Sequence, residues 1–240
     1  MKKRKIVPSF LTSLNLLCGF VAILINEPIV SFYLVLIGIA FDFVDGFSAR
    51  MLKVPSAFGK ELDSLADMVS FGVVPGFLYY HHVLQPIETT TSLYFVKLFV
   101  ATLIPVCAAL RLAKFNVNDS GKIGFAGLPS SAAALAIISV PFIMAQSDNS
   151  LVTAFQSSNG ILFVFPLVFS ILMVTNLPMF NFKSFAGGLK SNWVQLTYVI
   201  SVLGLPFLFS DFFWISIPIS VIWYVVWSLL TVSFWKKSVQ

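Results

Sequence analysis

A chain of 240 residues that is 58% hydrophobic and only 10% charged, with a mean hydropathy of +0.93, is excluded from the ordinary water-soluble domains. Its formal charge of +5 does not mark a nucleic-acid binder, because the basic residues are dispersed between apolar runs instead of lining one soluble face. Cys18 and Cys107 each sit inside an apolar run with no Cys or His at ligand spacing, so no disulfide framework or zinc site is indicated and both read as packing residues.

A membrane span takes about 20 apolar residues to cross about 30 Å of hydrocarbon. Runs of that kind follow one another along the chain. The first, near 9–26, comes after the basic stretch Met1 to Lys5; it has no small-residue cleavage site and further runs follow at once, so it reads as a retained span and not a secretory leader. The next runs fall near 29–48, 61–82, 92–113, 128–146 and 159–178. Two more, near 193–210 and 212–234, are separated only by a turn at Ser210 and Asp211 and form a tight hairpin. The predicted fold class is therefore an all-α integral membrane protein, a bundle of about eight transmembrane helices forming one membrane domain over 1–240, with an extra C-terminal helical hairpin over 190–240.

Charge tests this map independently, because the cytoplasmic ends of spans collect Lys and Arg. Lys2, Lys3, Arg4 and Lys5, then Arg50, Lys53 and Lys60, then Arg111, Lys114 and Lys122, then Lys183 and Lys190, then Lys236 and Lys237 all fall on one side. Only Lys97 is left over, and its stem is expected to snorkel to the outer interface. Both termini are then cytoplasmic. The outer connections carry no Lys or Arg, so chemistry is expected at the cytoplasmic face of a plasma (inner) membrane.

Acidic residues enter the apolar helices at one place. The second span ends with Asp42 and Asp45, at i and i+3, and the third opens with Asp63 and Asp67, at i and i+4. Each pair occupies one face of its helix. Carboxylates at such depth are costly and face a partner or a cavity. Four of them converging across the 51–60 turn repel one another, and a divalent cation resolves the repulsion. A site of hard oxygen donors without Cys or His suits Mg²⁺, Mn²⁺ or Ca²⁺. Gly46 and Ala49 share the face of Asp42 and Asp45 and leave a groove in which something flat could lie. Four aspartates could also form an ion site in a cation-coupled transporter, but transport predicts acidic groups near mid-membrane with access from both sides.

The pattern Asp42-x2-Asp45-Gly46-x2-Ala49-Arg50-x8-Gly59-x3-Asp63-x3-Asp67 resembles, without gap or substitution, the signature of the CDP-alcohol phosphatidyltransferase family. The resemblance implies a commonly dimeric bundle of membrane helices, with a catalytic core over about 8–180 and a polar cavity open to the cytoplasm. It implies that Asp42, Asp45, Asp63 and Asp67 ligate Mg²⁺ or Mn²⁺, that Asp67 also serves as general base, and that Asp42, Gly46, Ala49, Arg50 and Gly59 line the nucleotide site. No Ser or Cys stands out as a covalent nucleophile, which favours direct displacement of CMP from CDP-diacylglycerol by an alcohol.

Three further segments are similar to the serine-using branch of that family: Ser70 to Gly76, Ala109 to Val117 and Phe125 to Ser130. So is the amino-terminal Pro8-x3-Thr12-x2-Asn15-Leu16-x2-Gly19. Lys114, Ser131 and Ser9 depart from that branch's usual residues. L-serine carries an α-carboxylate that glycerol, inositol and choline lack, so Arg111 and Lys114, with Asn116 beside them, are the candidate acceptor-binding residues. Glycerol 3-phosphate, inositol or choline as acceptor is the alternative. His81 and His82, at the outer end of the third span, read as interfacial packing.

Overall fold

The computed structural model describes residues 2–52, 56–88, 90–118, 125–146, 150–180, 193–208 and 210–232. Of the basic residues used to orient the chain, Lys53, Lys122, Lys183, Lys190, Lys236 and Lys237 lie outside them.

Helix α1, Lys2–Ile25, turns into α2, Pro28–Met51, within two residues. The turn is built from local chemistry. Asn26 takes the left-handed conformation, with φ 47°, that short polar side chains tolerate. The Glu27 carboxylate accepts from the Ile29 and Val30 N–H groups, and Pro28 has no N–H to leave unsatisfied. Ser56 caps the start of α3, Ala57–Asp67, by accepting from the Gly59 N–H at 3.0 Å.

The chain then continues as one rod through a π-helical turn at Met68–Val73, helix α4 at Val74–Tyr79 and a second π turn at Tyr80–Leu84. At the first π turn Val74 reaches back five residues to the Val69 carbonyl, immediately ahead of Pro75, which has no N–H to continue the ladder. Next come α5 (Thr91–Asn118), α6 (Ser130–Gln146), a short α7 (Ser150–Ser157), α8 (Asn159–Val174) and α9 (Trp193–Leu208). A 3₁₀ turn at Ser210–Ile215 leads into α10, Ser216–Leu230. Within this pair, Trp227 Nε1 of α10 donates to the Val194 carbonyl of α9 at 3.1 Å.

Four of these helical stretches are long and apolar enough to cross a membrane: Ile6–Ile25, Pro28–Met51, Thr91–Val117 and Phe213–Leu230. Ser130–Gln146, Asn159–Val174 and Trp193–Leu205 are shorter apolar helices. Phe43, Phe99, Ile200 and Leu203 point outward and exposed, as lipid-facing side chains do. The protein is a multi-pass, all-α membrane protein.

Two buried clusters hold the bundle. One joins the rod to α5, α6, α8 and α10 through residues such as Ile104, Ile137, Phe169 and Tyr224. The other joins α1, α2, the rod and α6, where Phe32 and Phe142 stack with centroids 4.1 Å apart and Trp214 meets Phe142 edge-on at 4.8 Å. Cys18 and Cys107 are unbridged, as expected of packing residues. At the Leu84 end of the rod His82 meets the Asn26 side chain at 3.0 Å and His81 meets Gln85 at 3.1 Å.

Three expectations shift. The sixth apolar run ends as helix at Val174, and Pro178–Met179 instead pairs antiparallel with Phe125–Ala126 in a minimal two-stranded ribbon. A short amphipathic helix, α7, occupies the outer connection after α6. Lys97 reaches toward the connection before α5, where its ammonium donates to the Ile87 carbonyl, but it is buried there, 1% exposed.

Candidate functional site

The carboxylates are gathered where α2 ends and α3 begins. One oxygen each from Asp42, Asp63 and Asp67 lie within 4.8 Å of one another. Ligand oxygens around a single Mg²⁺-sized ion sit about 3–4 Å apart, given metal–oxygen distances of about 2.1 Å, so this spacing is within a small closure of ligation. The donor set is entirely carboxylate oxygen, the chemistry that hard dications prefer. The residues therefore fit a divalent metal.

Asp45 is placed differently from its expected part in a set of four. Its Oδ2 accepts from the Thr12 hydroxyl at 2.5 Å, and it is 5% exposed between α1 and α2. It stays within electrostatic reach of Asp63 and Asp67, but it lies outside the tightest triad. Asp67 is also held by α1: Asn15 Nδ2 donates to its Oδ1 at 3.1 Å. Neither Thr12 nor Asn15 had been given a role from sequence. A hydroxyl and an amide three residues apart in an apolar run, aligned with Asp45 and Asp67, were the available signal.

Close approach makes these contacts possible. A Cβ on Gly19 would lie 2.5 Å from Ser70 Oγ and 2.9 Å from Ser70 Cα, and the Ser70 hydroxyl donates to the Asn15 carbonyl at 3.0 Å. The π turn after Asp67 is thus pressed directly onto α1.

Space beside the carboxylates is open at Gly46. A Cβ on Gly46 would meet only Arg50 Nη1, 3.6 Å away, with Ala49 the next small side chain along α2. Arg50 itself is exposed at the mouth. Gly59 sits in the first turn of α3 with its N–H already taken by Ser56.

The three candidate acceptor residues separate. Arg111 is 8% exposed and lies within electrostatic reach of Asp67 and Asp42. Its Nε donates to the Leu128 carbonyl at 2.6 Å and its Nη1 to Ser130 Oγ at 3.3 Å. Those partners are in place because Gly127, at φ +81°, lets the chain cross the end of α8, where a Cβ would come within 2.6 Å of the Met173 carbonyl. Asn116 donates to Ser64 Oγ at 2.8 Å, one residue from Asp63, and its backbone carbonyl accepts from Lys60 Nζ at 3.3 Å. Lys114 is directed elsewhere, to the Val174 carbonyl and the Asn176 side chain at the C-terminal end of α8. Tyr224 of α10 comes within electrostatic reach of Arg111, so the C-terminal hairpin borders the site.

This geometry coincides with a family match. The sequence model of the CDP-alcohol phosphatidyltransferase family matches residues 5–172. Among curated relatives, the CDP-diacylglycerol–serine O-phosphatidyltransferase of Methanocaldococcus jannaschii is 39% identical over 137 residues, which cover 56% of this chain and 61% of that protein. The protein of the same name from Bacillus subtilis is 37% identical over 139 residues, covering 57% of this chain and 75% of the relative. One from Helicobacter pylori is 27% identical over 231 residues, 90% of this chain and 93% of the relative. The chain thus spans about three fifths of the archaeal relative and nearly all of the Helicobacter one.

Proposed function

The chain belongs to the CDP-alcohol phosphatidyltransferase family, and we propose that it transfers a phosphatidyl group from CDP-diacylglycerol to L-serine, giving phosphatidylserine and CMP. The observation that carries this reading is the triad of Asp42, Asp63 and Asp67 oxygens within 4.8 Å, beside an open groove at Gly46 and a buried arginine. The curated names of its relatives support serine as the acceptor.

In this reading Asp42, Asp45, Asp63 and Asp67 hold Mg²⁺ or Mn²⁺, with Asp45 the outermost of the four. A dication there would neutralise charge on the diphosphate and so stabilise the departing CMP. Gly46 and Ala49 leave room for the cytidine, Arg50 contacts the diphosphate from the mouth, and Asp42 and Gly59 complete the nucleotide site. Arg111 receives the α-carboxylate of serine, with Asn116 and Lys114 at the rim of that subsite. Asp67 accepts the proton of the serine hydroxyl as its oxygen attacks the β-phosphorus. The bond from that phosphorus to the bridging oxygen breaks, and CMP leaves with the electron pair. The pre-set carboxylates would hold the reacting groups in one place and orientation.

The same reading places the enzyme in the plasma membrane as a homodimer, with its termini and site facing the cytoplasm. It draws support from the grouping of Arg50, Lys60, Arg111 and Lys114 at the carboxylate end of the bundle. The transport alternative draws no support from the family match or from the names of the relatives.

Purified protein in mixed micelles, given CDP-diacylglycerol and each candidate alcohol with Mn²⁺ present or chelated, tests the proposal. CMP release and phosphatidylserine formation that need both serine and metal are expected. Product formed with glycerol 3-phosphate, inositol or choline but not serine overturns the acceptor, and no CMP with any alcohol overturns the reaction.

A further inference from the structure

Two side chains of α1 touch the carboxylates, and the reaction just described gives them no part. Thr12 is 3% exposed and Asn15 is fully buried, three residues apart on one face of an apolar helix. Polar groups buried in such a helix are costly unless something requires them. Each finds its partner on a different helix: Thr12 holds Asp45 of α2 at 2.5 Å, and Asn15 holds Asp67 of α3 at 3.1 Å.

The direction of both bonds follows from chemistry. The Thr12 oxygen lies 3.0 Å from the Pro8 carbonyl and 2.5 Å from Asp45, and its single proton goes to the nearer, charged acceptor. An ionised carboxylate only accepts, so the Asn15 amide must present its NH₂ to Asp67. Asn15 Oδ1 then turns toward Gly38, where a Cβ would stand 3.0 Å away, and it finds no donor among the described residues. An apolar side chain of similar size would avoid that unsatisfied oxygen, so packing alone does not account for an asparagine here.

We propose that Thr12 and Asn15 are positioning residues: one hydrogen bond each fixes the carboxylate planes of Asp45 and Asp67, and α1 thereby sets how the α2 pair and the α3 pair face a shared divalent ion. The role assigned to them needs no contact with substrate. Each restricts one carboxylate from outside, as partners of metal ligands do when they orient the ligand and hold its charge. The inference rests on the metal-dependent reading above.

The test is a Mn²⁺ titration of purified protein without substrates, followed by the six-line electron paramagnetic resonance signal of free Mn²⁺. Thr12→Val keeps the shape of the side chain and removes the hydroxyl; it is expected to raise the Mn²⁺ dissociation constant about tenfold. The Mn²⁺ concentration for half-maximal activity should rise by the same factor, while KM for both substrates at saturating metal stays within about twofold. Thr12→Ser, which restores the hydroxyl, should return the constant to within about threefold of the parent. Asn15→Leu should weaken Mn²⁺ binding comparably through Asp67. Where Thr12→Val does not fold, Thr12→Ala takes its place.

Unchanged Mn²⁺ binding in a folded Thr12→Val, or a Thr12→Ser as weak as Thr12→Val, overturns the inference. Asp42→Ala in the same titration separates the two levels. If it binds Mn²⁺ like the parent, the carboxylates are not the metal site and the proposed function fails with them. If it loses Mn²⁺ while Thr12→Val does not, only the positioning role falls.

Discussion

Gly19→Ala places one methyl group at the closest helix contact near the site, and its effect can be worked from distances. The new Cβ would stand 2.9 Å from Ser70 Cα and 2.5 Å from Ser70 Oγ. Carbon atoms in contact prefer about 3.5–4.0 Å, so α1 and the π turn must part by roughly 0.6–1 Å. Ser70 cannot absorb this by turning its hydroxyl away without giving up the Asn15 carbonyl. Asn15 stands one turn before Gly19, and a shift of that size opens its 3.1 Å bond to Asp67 beyond hydrogen-bonding range. Overpacking of this kind costs about 1–3 kcal/mol of stability, and a misplacement near 1 Å costs about 100-fold in rate. The variant should therefore purify as a monodisperse protein with kcat for CMP release lowered about 30- to 100-fold. Gly160→Ala serves as the control, because a Cβ there meets nothing within 4 Å. A Gly19→Ala enzyme with kcat within about twofold of the parent, in the same preparation as a normal Gly160→Ala, would refute the claim that α1 holds Asp67 in place.

Three other outcomes are expected. Asp67→Asn keeps the shape of the side chain but cannot take the serine proton, so kcat should fall about 10²- to 10⁴-fold at saturating substrates in the CMP-release assay. Arg111→Ala should raise KM for serine at least about tenfold while KM for CDP-diacylglycerol stays within about twofold, and unchanged serine kinetics remove the carboxylate-binding assignment. Gly127→Ala forces a side chain into φ +81° and within 2.6 Å of the Met173 carbonyl; a loss of roughly 1–3 kcal/mol in stability should accompany a higher serine KM, because the Leu128 carbonyl and Ser130 that hold Arg111 move with it.

Much of the carboxylate cluster was legible in spacing, because i, i+3 and i, i+4 steps fix a helix face whatever surrounds it: Asp42, Asp63 and Asp67 meet, while Asp45 turns to Thr12. What spacing does not carry is the identity of the third helix against that face. Thr12 and Asn15 sit in an apolar run whose polar residues could have faced lipid headgroups, a cavity or a neighbour, and only the packing of α1 on α2 and the rod decides among them. The π turn after Asp67 was hidden for a related reason: Pro75 announces a missing hydrogen bond but not whether the helix kinks or widens around it. The burial of Lys97 was hidden because the carbonyl that receives it, at Ile87, belongs to a connection whose course depends on the fold. Lys114 and Arg111 looked alike in sequence, three residues apart on one helix. They part because Gly127 brings the Leu128 carbonyl to one of them and the end of α8 comes to the other.

The division of labour around the aspartates follows from magnitudes. Two unit charges 4.8 Å apart repel by about 3 kcal/mol even at an effective dielectric constant near 20, and the triad contains three such pairs. A hydrogen bond to a charged group contributes about 1.5–3 kcal/mol, so one such bond offsets at most one pair. Two reach the carboxylates from α1, and the Thr12 bond goes to Asp45, outside the triad. Arg111 keeps its charge while it donates to Leu128 and Ser130 and lies within electrostatic reach of Asp67 and Asp42, but it is one cation beside several carboxylates. The two donors from α1 therefore orient their carboxylates more than they offset the repulsion, and a small dication bound among Asp42, Asp63 and Asp67 would supply balancing charge. In the proposed reaction a dication and a diphosphate bound there would each carry the charge that the other lacks.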